Sequence, residues 1–463
     1  MQHQLSQGST IRVRQFANLF VILISSAAAL GGLLYGYDTA VISGAIGFLG
    51  EFYGLSTFMQ GFVTAAILIG GIIGVLVSGF LSDWLGRKKV LAMAAVLFAL
   101  AAVGSGFTNT VTWLVVARIV GGIGIGMASV LSTTYISEVS PPYIRGRLSS
   151  IYQLATVIGI AATFFVNAAV AGSGTHAWDV TTGWRWMLSL GAIPAIVFFL
   201  VLFVVPESPR WLQKSGREQE AFQVLEKING REIAEYELGE IKRSLSQERN
   251  TSFSQLFKPG LRAALMIGIM LAIFQQFVGI NAIMYYAPTI FQSAGMGQNA
   301  QFTQTVVVGI INFLFTLLAI WLIDKIGRKA LLLIGAGCMT LFLLLIGGTF
   351  YFHVTHGPLI LIFILGYVAS FAISMGPVVW VMIPEIFPNH SRARAASLAT
   401  VFLWAADWVV TQFFPTMLHS IGGAVSFWIF MFLCIVAFVF VLKFVPETKD
   451  KSLEEIERFW LKN

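Results

Sequence analysis

Charged side chains are scarce. Asp, Glu, Lys and Arg make up 11% of the 463 residues, against roughly a quarter in a soluble globular chain, and that is too little to solvate the surface of a soluble enzyme. Cysteine is nearly absent: Cys338 and Cys434 each sit inside an apolar run, which excludes a disulfide framework and a paired-cysteine metal motif and leaves the redox compartment open. No Gly-Lys dipeptide occurs, so there is no phosphate loop for ATP hydrolysis. His353 and His356 share a short loop without an acidic neighbour, and no metal site is expected. The formal charge of +7 falls between apolar runs rather than in one basic patch, which speaks against a nucleic-acid partner.

What fills the chain is apolar. Hydrophobic residues make up 57%, with 39 Phe and 45 Gly, the composition of packed helices whose solvent is a lipid bilayer. Crossing the hydrocarbon takes about 20 apolar residues. Twelve such runs are read near 18–43, 61–82, 90–108, 113–135, 148–172, 186–206, 263–291, 304–323, 330–350, 358–383, 396–419 and 424–445. The first follows Arg12 and Arg14, as a signal peptide would, but eleven further spans favour a retained helix. Lys and Arg gather in loops that stay in the cytoplasm. With the N-terminus inside, Arg87, Lys88 and Lys89, then Arg145 and Arg147, Lys325, Arg328 and Lys329, and Arg392 and Arg394 all fall on the inner side, and Arg185 alone on the other. Both termini are therefore expected in the cytoplasm.

Residues 207–262 carry 19 charges among 56 positions, so the chain divides into a 1–17 N-terminus, an 18–206 bundle, a 207–262 linker, a 263–445 bundle and a 446–463 tail. In the linker, Ala221, Val224, Leu225 and Ile228 lie at helical spacing, which suits short amphipathic helices on the cytoplasmic face; a plain tether is the other reading. The two halves repeat. Asp83, Gly86, Arg87 and Lys88 recur as Asp324, Gly327, Arg328 and Lys329; Glu138, Arg145 and Arg147 as Glu385, Arg392 and Arg394; Pro206 and Glu207 as Pro446 and Glu447. A duplicated six-plus-six design is what a rocking transporter needs, because its site lies between two bundles that move as units. The repeated charges sit at inner helix ends, where acids and bases can pair across the bundles as a gate; the set is Asp83, Arg87, Glu138, Arg145, Arg147, Glu207, Arg210, Asp324, Arg328, Glu385, Arg392, Arg394 and Glu447. The other reading is that the basic members are topology signals only.

Three charges lie deep within the runs: Asp38, Arg118 and Asp407. A charge at mid-bilayer costs at least about 2.5 to 3.5 kcal/mol, so such residues face a cavity or a partner. Asp38 is read as the proton carrier and Arg118 as the group that sets its proton affinity; a permanent bridge between helices one and four is the other reading. Gly121, Gly122, Gly124 and Gly126 after Arg118 let another helix approach closely. The seventh run is too polar for lipid, with Gln275, Gln276, Asn281, Tyr285 and Tyr286, broken by Gly279 and closed by Pro288. Amides pair with vicinal hydroxyls and aromatic rings cover the apolar face of a pyranose, while amides also bond helix to helix. Gln153, Asn312, Trp380 and Trp404 supply the same chemistry from other helices.

These strings resemble the sugar porter family of the major facilitator superfamily over nearly the whole chain: GGLLYGYDTAVISG around Asp38, GFLSDWLGRKK at 79–89, ARIVGGIGIG from Ala117, PESPRWL at 206–212, QQFVGINAIMYYAP at 275–288 and PETK at 446–449. The pattern is most similar to bacterial pentose/proton symporters, the arabinose and xylose carriers. The resemblance implies an all-α membrane protein of twelve helices in two six-helix bundles, working by alternating access. It implies a sugar site at Tyr35, Gln153, Gln275, Gln276, Asn281, Tyr285, Asn312, Gly376, Trp380 and Trp404. It also implies that an acid at Asp38 marks proton symport, where passive relatives often have Asn.

Related xylose carriers have glutamines where this chain has Ile160 and Leu403, and commonly Asn where it has Asp407, which is read as a second polar site that bonds a neighbouring helix, with a second proton and substrate recognition as the other readings. The expected function is proton-coupled uptake of a monosaccharide, arabinose or xylose first. A galactose or glucose symporter, a passive sugar facilitator and a membrane sugar sensor are the alternatives. An enzyme is not expected, nor any cofactor beyond the proton as coupling ion. The partners expected are the sugar, the proton and the bilayer of the cell membrane, with the chain acting as a monomer.

Overall fold

A computed structural model describes residues 2–141, 144–248, 261–354, 358–387 and 392–449. Among the described residues twelve helices are long and apolar enough to cross a membrane: Leu19–Tyr53, Thr57–Leu85, Arg87–Gly106, Val111–Val139, Arg145–Ala171, His176–Leu202, Leu261–Ser293, Gln298–Ile323, Arg328–Tyr351, Leu359–Ile383, Arg394–Ser420 and Gly422–Phe444. They are spans 1 to 12 below. Large apolar side chains such as Phe80, Leu76, Trp84 and Val204 point outward, as they must where the surrounding solvent is lipid.

Two ends differ from the hydropathy reading. Span 1 belongs to a helix running from Gln2 to Tyr53, ten residues past its apolar run; Glu51 is exposed near the end, so its charge reaches water and does not stop the helix. Span 6 starts at His176, ten residues early, with Thr175 capping the Trp178 amide. It passes through a π-helical turn at Asp179–Gly183 before the apolar part.

Spans 1 to 6 pack among themselves, mainly 1 on 5, 2 on 4 and 3 on 4, and spans 7 to 12 do likewise, mainly 9 on 12, 9 on 10, 7 on 11 and 8 on 10. Small residues permit this. A Cβ at Gly70 would lie 2.0 Å from the Ile119 carbonyl oxygen, and one at Gly122 would lie 2.0 Å from that of Ile67, so spans 2 and 4 meet backbone to backbone. Between the halves, span 2 packs on 11, span 5 on 8 and span 1 on 7.

We call the side holding the start of span 1 and the end of span 12 the terminal face, and its opposite the distal face. Toward the distal face the halves are in contact: Gln412 Nε2 donates to the Phe58 carbonyl at 3.0 Å, and the Phe48 and Phe302 rings stack at 6.1 Å. Between spans 6 and 7 lie the helices Pro209–Lys214, Glu218–Asn229 and Arg231–Glu248, in which Trp211, Leu212, Ala221, Leu225, Ala234 and Leu238 form a small separate core.

Candidate functional site

Span 1 carries Asp38 into the first bundle, where it meets Arg118 of span 4. The guanidinium donates to Asp38 Oδ1 at 3.1 Å and to the Thr64 carbonyl of span 2 at 3.3 Å. Both side chains are buried. Each charge therefore has a partner, which a pair in low dielectric requires, and three helices are tied at one point. Arg118 Nε is buried with no hydrogen-bond partner, and a cavity of about 20 Å³ touches Asp38, Arg118, Tyr37 and Ser105. That is room for one water molecule.

The second cluster lies in the other bundle. Span 7 is broken at Gly279, whose φ of 94° is left-handed and whose missing Cβ would sit 2.6 Å from the Phe430 ring. It bends again at Tyr286, which is non-helical two residues before Pro288. A proline removes one helical bond and crowds the preceding turn. Irregular backbone at this depth is tolerated where protein surrounds it. The breaks turn a run of amides inward. Gln275 Nε2 donates to the carbonyls of Met375 and Gly376 at 3.1 and 3.2 Å, just past the break of span 10 at Ser374. Gln276 Nε2 donates to Gln275 Oε1 at 3.3 Å, and Asn281 Nδ2 to Gln276 Oε1 at 2.8 Å. Asp407 of span 11 adjoins Asn281, and its Oδ1 accepts from Thr411 at 3.0 Å. A hydrogen-bonded relay thus joins spans 10 and 7, with Asp407 of span 11 beside its end.

The two clusters approach each other through aromatic residues. Tyr35 of span 1 packs on Trp404 of span 11 with ring centroids 5.5 Å apart, and Trp404 Nε1 is buried without a partner. Thr39, one residue past Asp38, donates to the Tyr35 carbonyl at 2.9 Å and adjoins Tyr285 of span 7, and Tyr286 donates to the Thr411 carbonyl at 2.9 Å. Asn312 is buried, whereas Gln153 and Trp380 are half-buried. Sequence reasoning missed Thr411, Thr39 and Tyr152, whose hydroxyl is buried and unpartnered. Tyr152 adjoins Gln153, but its type and spacing carry no signal that separates it from a core tyrosine.

At the terminal face the repeated charges form two like networks. Arg87 holds Glu138 through Nε at 3.1 Å and Nη2 at 3.0 Å, and Asp83 at 3.3 Å; Arg328 holds Glu385 at 3.2 Å. Glu207 accepts from the Arg87 and Lys88 amides and Glu447 from those of Arg328 and Lys329, so each glutamate caps the helix that follows a glycine, Gly86 or Gly327, with φ near 100°. Burial raises Glu207 above the usual carboxylate range, against the pull of the Ser208, Lys88 and Arg87 amides. Burial also works to raise Glu447, but four backbone amides outweigh it and hold that carboxyl low. Ser208 donates to Glu138, and Thr448 to Glu385 at 2.7 Å. The hydroxyl after Pro-Glu in both halves was the available signal for these two.

These ion pairs link helices of one bundle, where the sequence reading expects pairing across the bundles; acid and base of each motif sit on neighbouring helix ends of the same half, so they meet there first. Arg210 donates to Ser244 at 3.2 Å, Arg145 and Arg147 are exposed, and Arg394 is half-buried. The side chains of Asp324 and Arg392, and His356 as a whole, lie outside the described residues. Among the described residues no group of three or more His, Cys, Asp or Glu gathers to hold a metal.

The chain is 58% identical over 443 residues to the arabinose-proton symporter of Bacillus subtilis (strain 168), covering 96% of each. It is 42% identical over 478 residues to the D-xylose-proton symporter of Escherichia coli (strain K12), covering 96% of this chain and 97% of that protein. The partially occluded inward-open xylose transporter of E. coli matches the fold with a TM-score of 0.83 at 39% identity, over 92% of this chain and 100% of that one. The model of the family described as sugar (and other) transporter matches residues 24–460, and the chain, a multi-pass membrane protein, belongs to that family.

Proposed function

We propose that this protein takes up a pentose, arabinose or xylose, together with a proton, by alternating access. The observation that carries the reading is the buried Asp38–Arg118 pair at 3.1 Å, the one ion pair found at mid-membrane depth among the described residues, set three residues from Tyr35 at the junction of the two bundles. The identity to an arabinose-proton symporter supports the substrate class.

In this reading the ionised Asp38 holds Arg118, and through it spans 1, 2 and 4, in one arrangement. A proton on Asp38 cancels the attraction and releases span 1. Tyr35 and Thr39 move with that helix, and they touch Trp404 and Tyr285 of the other bundle, so the proton and the sugar site bias the same two-state element. The amides of Gln275, Gln276 and Asn281, with Gln153, Asn312 and the Gly376 backbone, bind sugar hydroxyls; Trp380, Trp404, Tyr35 and Tyr285 cover its apolar face. Asp407 orients Asn281. Residues 18–206 and 263–445 are the moving bodies, 207–262 the cytoplasmic linker, and the terminal face with both termini lies in the cytoplasm, as its Lys and Arg suggest. The carrier sits in the cell membrane and works as a monomer, and the charge networks at the terminal face brace the inner helix ends of each bundle as the inner gate opens.

Proteoliposomes test this. Sugar entry alkalinises the medium, and Asp38→Asn abolishes uphill accumulation while sparing exchange of labelled sugar. Entry without proton movement, or equal loss of accumulation and exchange in the variant, would refute coupling through Asp38. Arabinose and xylose compete with the labelled sugar better than galactose or glucose do; competition by neither pentose removes the pentose assignment.

A further inference from the structure

The distal, outer face carries a hydrogen-bonded chain that the transport mechanism does not use. His176, at the head of span 6, places Nε2 2.9 Å from Glu51 Oε2 of span 1 and Nδ1 3.0 Å from Gln298 Oε1 of span 8. Gln298 Nε2 in turn donates to Asp179 Oδ2 at 2.7 Å. His176, Glu51 and Asp179 belong to the first bundle and Gln298 to the second, so the chain fastens one bundle to the other.

The hydrogens can be counted. Gln298 gives its amide nitrogen to a carboxylate, so the oxygen must be the atom that faces His176; a flipped amide would set oxygen against the Asp179 carboxylate. Glu51 offers oxygen as well. Both ring nitrogens therefore face acceptors, and a neutral imidazole has one N–H for two of them. Either tautomer leaves a lone pair against an oxygen about 3 Å away. The imidazolium satisfies both.

The charged groups facing the ring are the acids Glu51 on span 1 and Asp179 on its own helix; span 8 presents the neutral Gln298 and Asn299. The nearest cation along the helix, Arg185, is committed to the Gly106 and Thr108 carbonyls at 2.9 and 2.5 Å. The His176 side chain is 57% exposed beside an open groove lined by Gly174, Gln298 and Asn299, so it exchanges protons with the outer medium while the latch is shut.

The geometry points to His176 as a proton-operated latch of the outer gate, a positioning residue whose imidazolium form joins the bundles and favours the outer-closed state. Its proton comes from and returns to the same side, so it tunes the conformational balance without adding to the protons carried. The inference rests on the proposed orientation, in that this face meets the medium from which sugar is taken.

The test uses the full chain in nanodiscs, with Asp38→Asn to remove the response of the coupling acid. Spin labels at Ser173→Cys and Asn299→Cys, in a Cys338→Ser background, report the distance between bundles at the outer face. Lowering the pH from 7.5 to 5.5 takes an ordinary imidazole from about one tenth to about nine tenths protonated. The ratio of short to long distances should rise about fivefold, the scale of one exposed charge-assisted contact. In His176→Gln, and separately in Gln298→Ala, the response should vanish, with thermal unfolding in detergent showing that each variant is folded. A pH response retained in both variants, or none with His176 present, overturns the latch. Because no transport is measured, failure here leaves the symport reading to its own liposome assay.

Discussion

If the distal face is the outer one, Gly71→Ala tests whether outer closure turns on the packing of spans 2 and 11. Gly71 of span 2 lies under the Trp404 indole of span 11, and a Cβ there would sit 2.2 Å from Cζ3 and 2.4 Å from Cε3 of the ring. Ordinary carbon contacts are about 3.5 to 4.0 Å, so the ring edge must retreat by more than 1 Å, while the same ring packs on Tyr35, 5.5 Å away between centroids. Overpacking of this kind costs about 1 to 3 kcal/mol. The cost falls only on the state in which spans 2 and 11 touch. An energy of that size shifts the two-state ratio toward outer-open by about 5- to 150-fold. A cysteine at Thr64, buried on span 2 near the same seam, reports the shift: the rate at which membrane-impermeant maleimide labels Thr64→Cys from outside, with Cys338→Ser, should rise within that range when Gly71→Ala is added. Sugar turnover should fall while apparent affinity from outside is kept or improved. An unchanged labelling rate would show that the seam does not limit closure.

Gln276→Leu removes the middle of the amide relay, leaving Asn281 and Gln275 each short of a partner; at about 1 to 3 kcal/mol for a buried polar group left unpaired, half-saturation for the sugar should rise about 5- to 150-fold in equilibrium binding, and an unchanged value would remove the relay from the site. Gly327→Ala meets both a φ of 101° and the Glu447 carboxylate 2.8 Å from the new Cβ, so thermal stability in detergent should drop by about 1 to 3 kcal/mol, with Gly86→Ala behaving alike. Glu447 is held low on folding, so its contribution is present above the unfolded value and fades as pH falls through the folded one. Glu447→Gln should therefore cost about 1 kcal/mol near pH 7 and almost nothing in strong acid. Glu207 is raised, its contribution is lost as pH rises through the folded value, and Glu207→Gln should be the milder change near pH 7; unfolding midpoints for both variants across pH decide whether the repeated caps differ in this way.

Much of the candidate site was legible because membrane burial makes polarity conspicuous. Asp38, Arg118 and Asp407 stand out against tens of apolar neighbours, and the amides of Gln275, Gln276 and Asn281 stand out on a helix broken by Gly279. The recurrence of Gly86 and Glu207 as Gly327 and Glu447 was equally visible, since identical backbone problems at two helix starts were solved with identical residues. Other features had no such contrast. Thr39, Thr411 and Tyr152 are ordinary core types, and only their neighbours give them meaning. His176 carries no signal in the sequence, because Glu51 and Gln298 are more than a hundred positions away in opposite directions.

Composition and hydrophobic length alone determined that this chain is a twelve-span all-helical membrane protein, because a bilayer admits few ways to satisfy a backbone and each span must be written out residue by residue. Charges in oil singled out Asp38 and Arg118 by their cost. Which acid meets which base, which carbonyl an amide reaches, and on which face the halves touch were decided by tertiary packing. The Arg87–Glu138 pair shows why: its partners are 51 residues apart in sequence and 3.0 Å apart in space, and the same residue types would equally well have joined the two bundles. Distance in folded space is set by how helices with small residues fit against one another, and no local pattern in the chain encodes that fit.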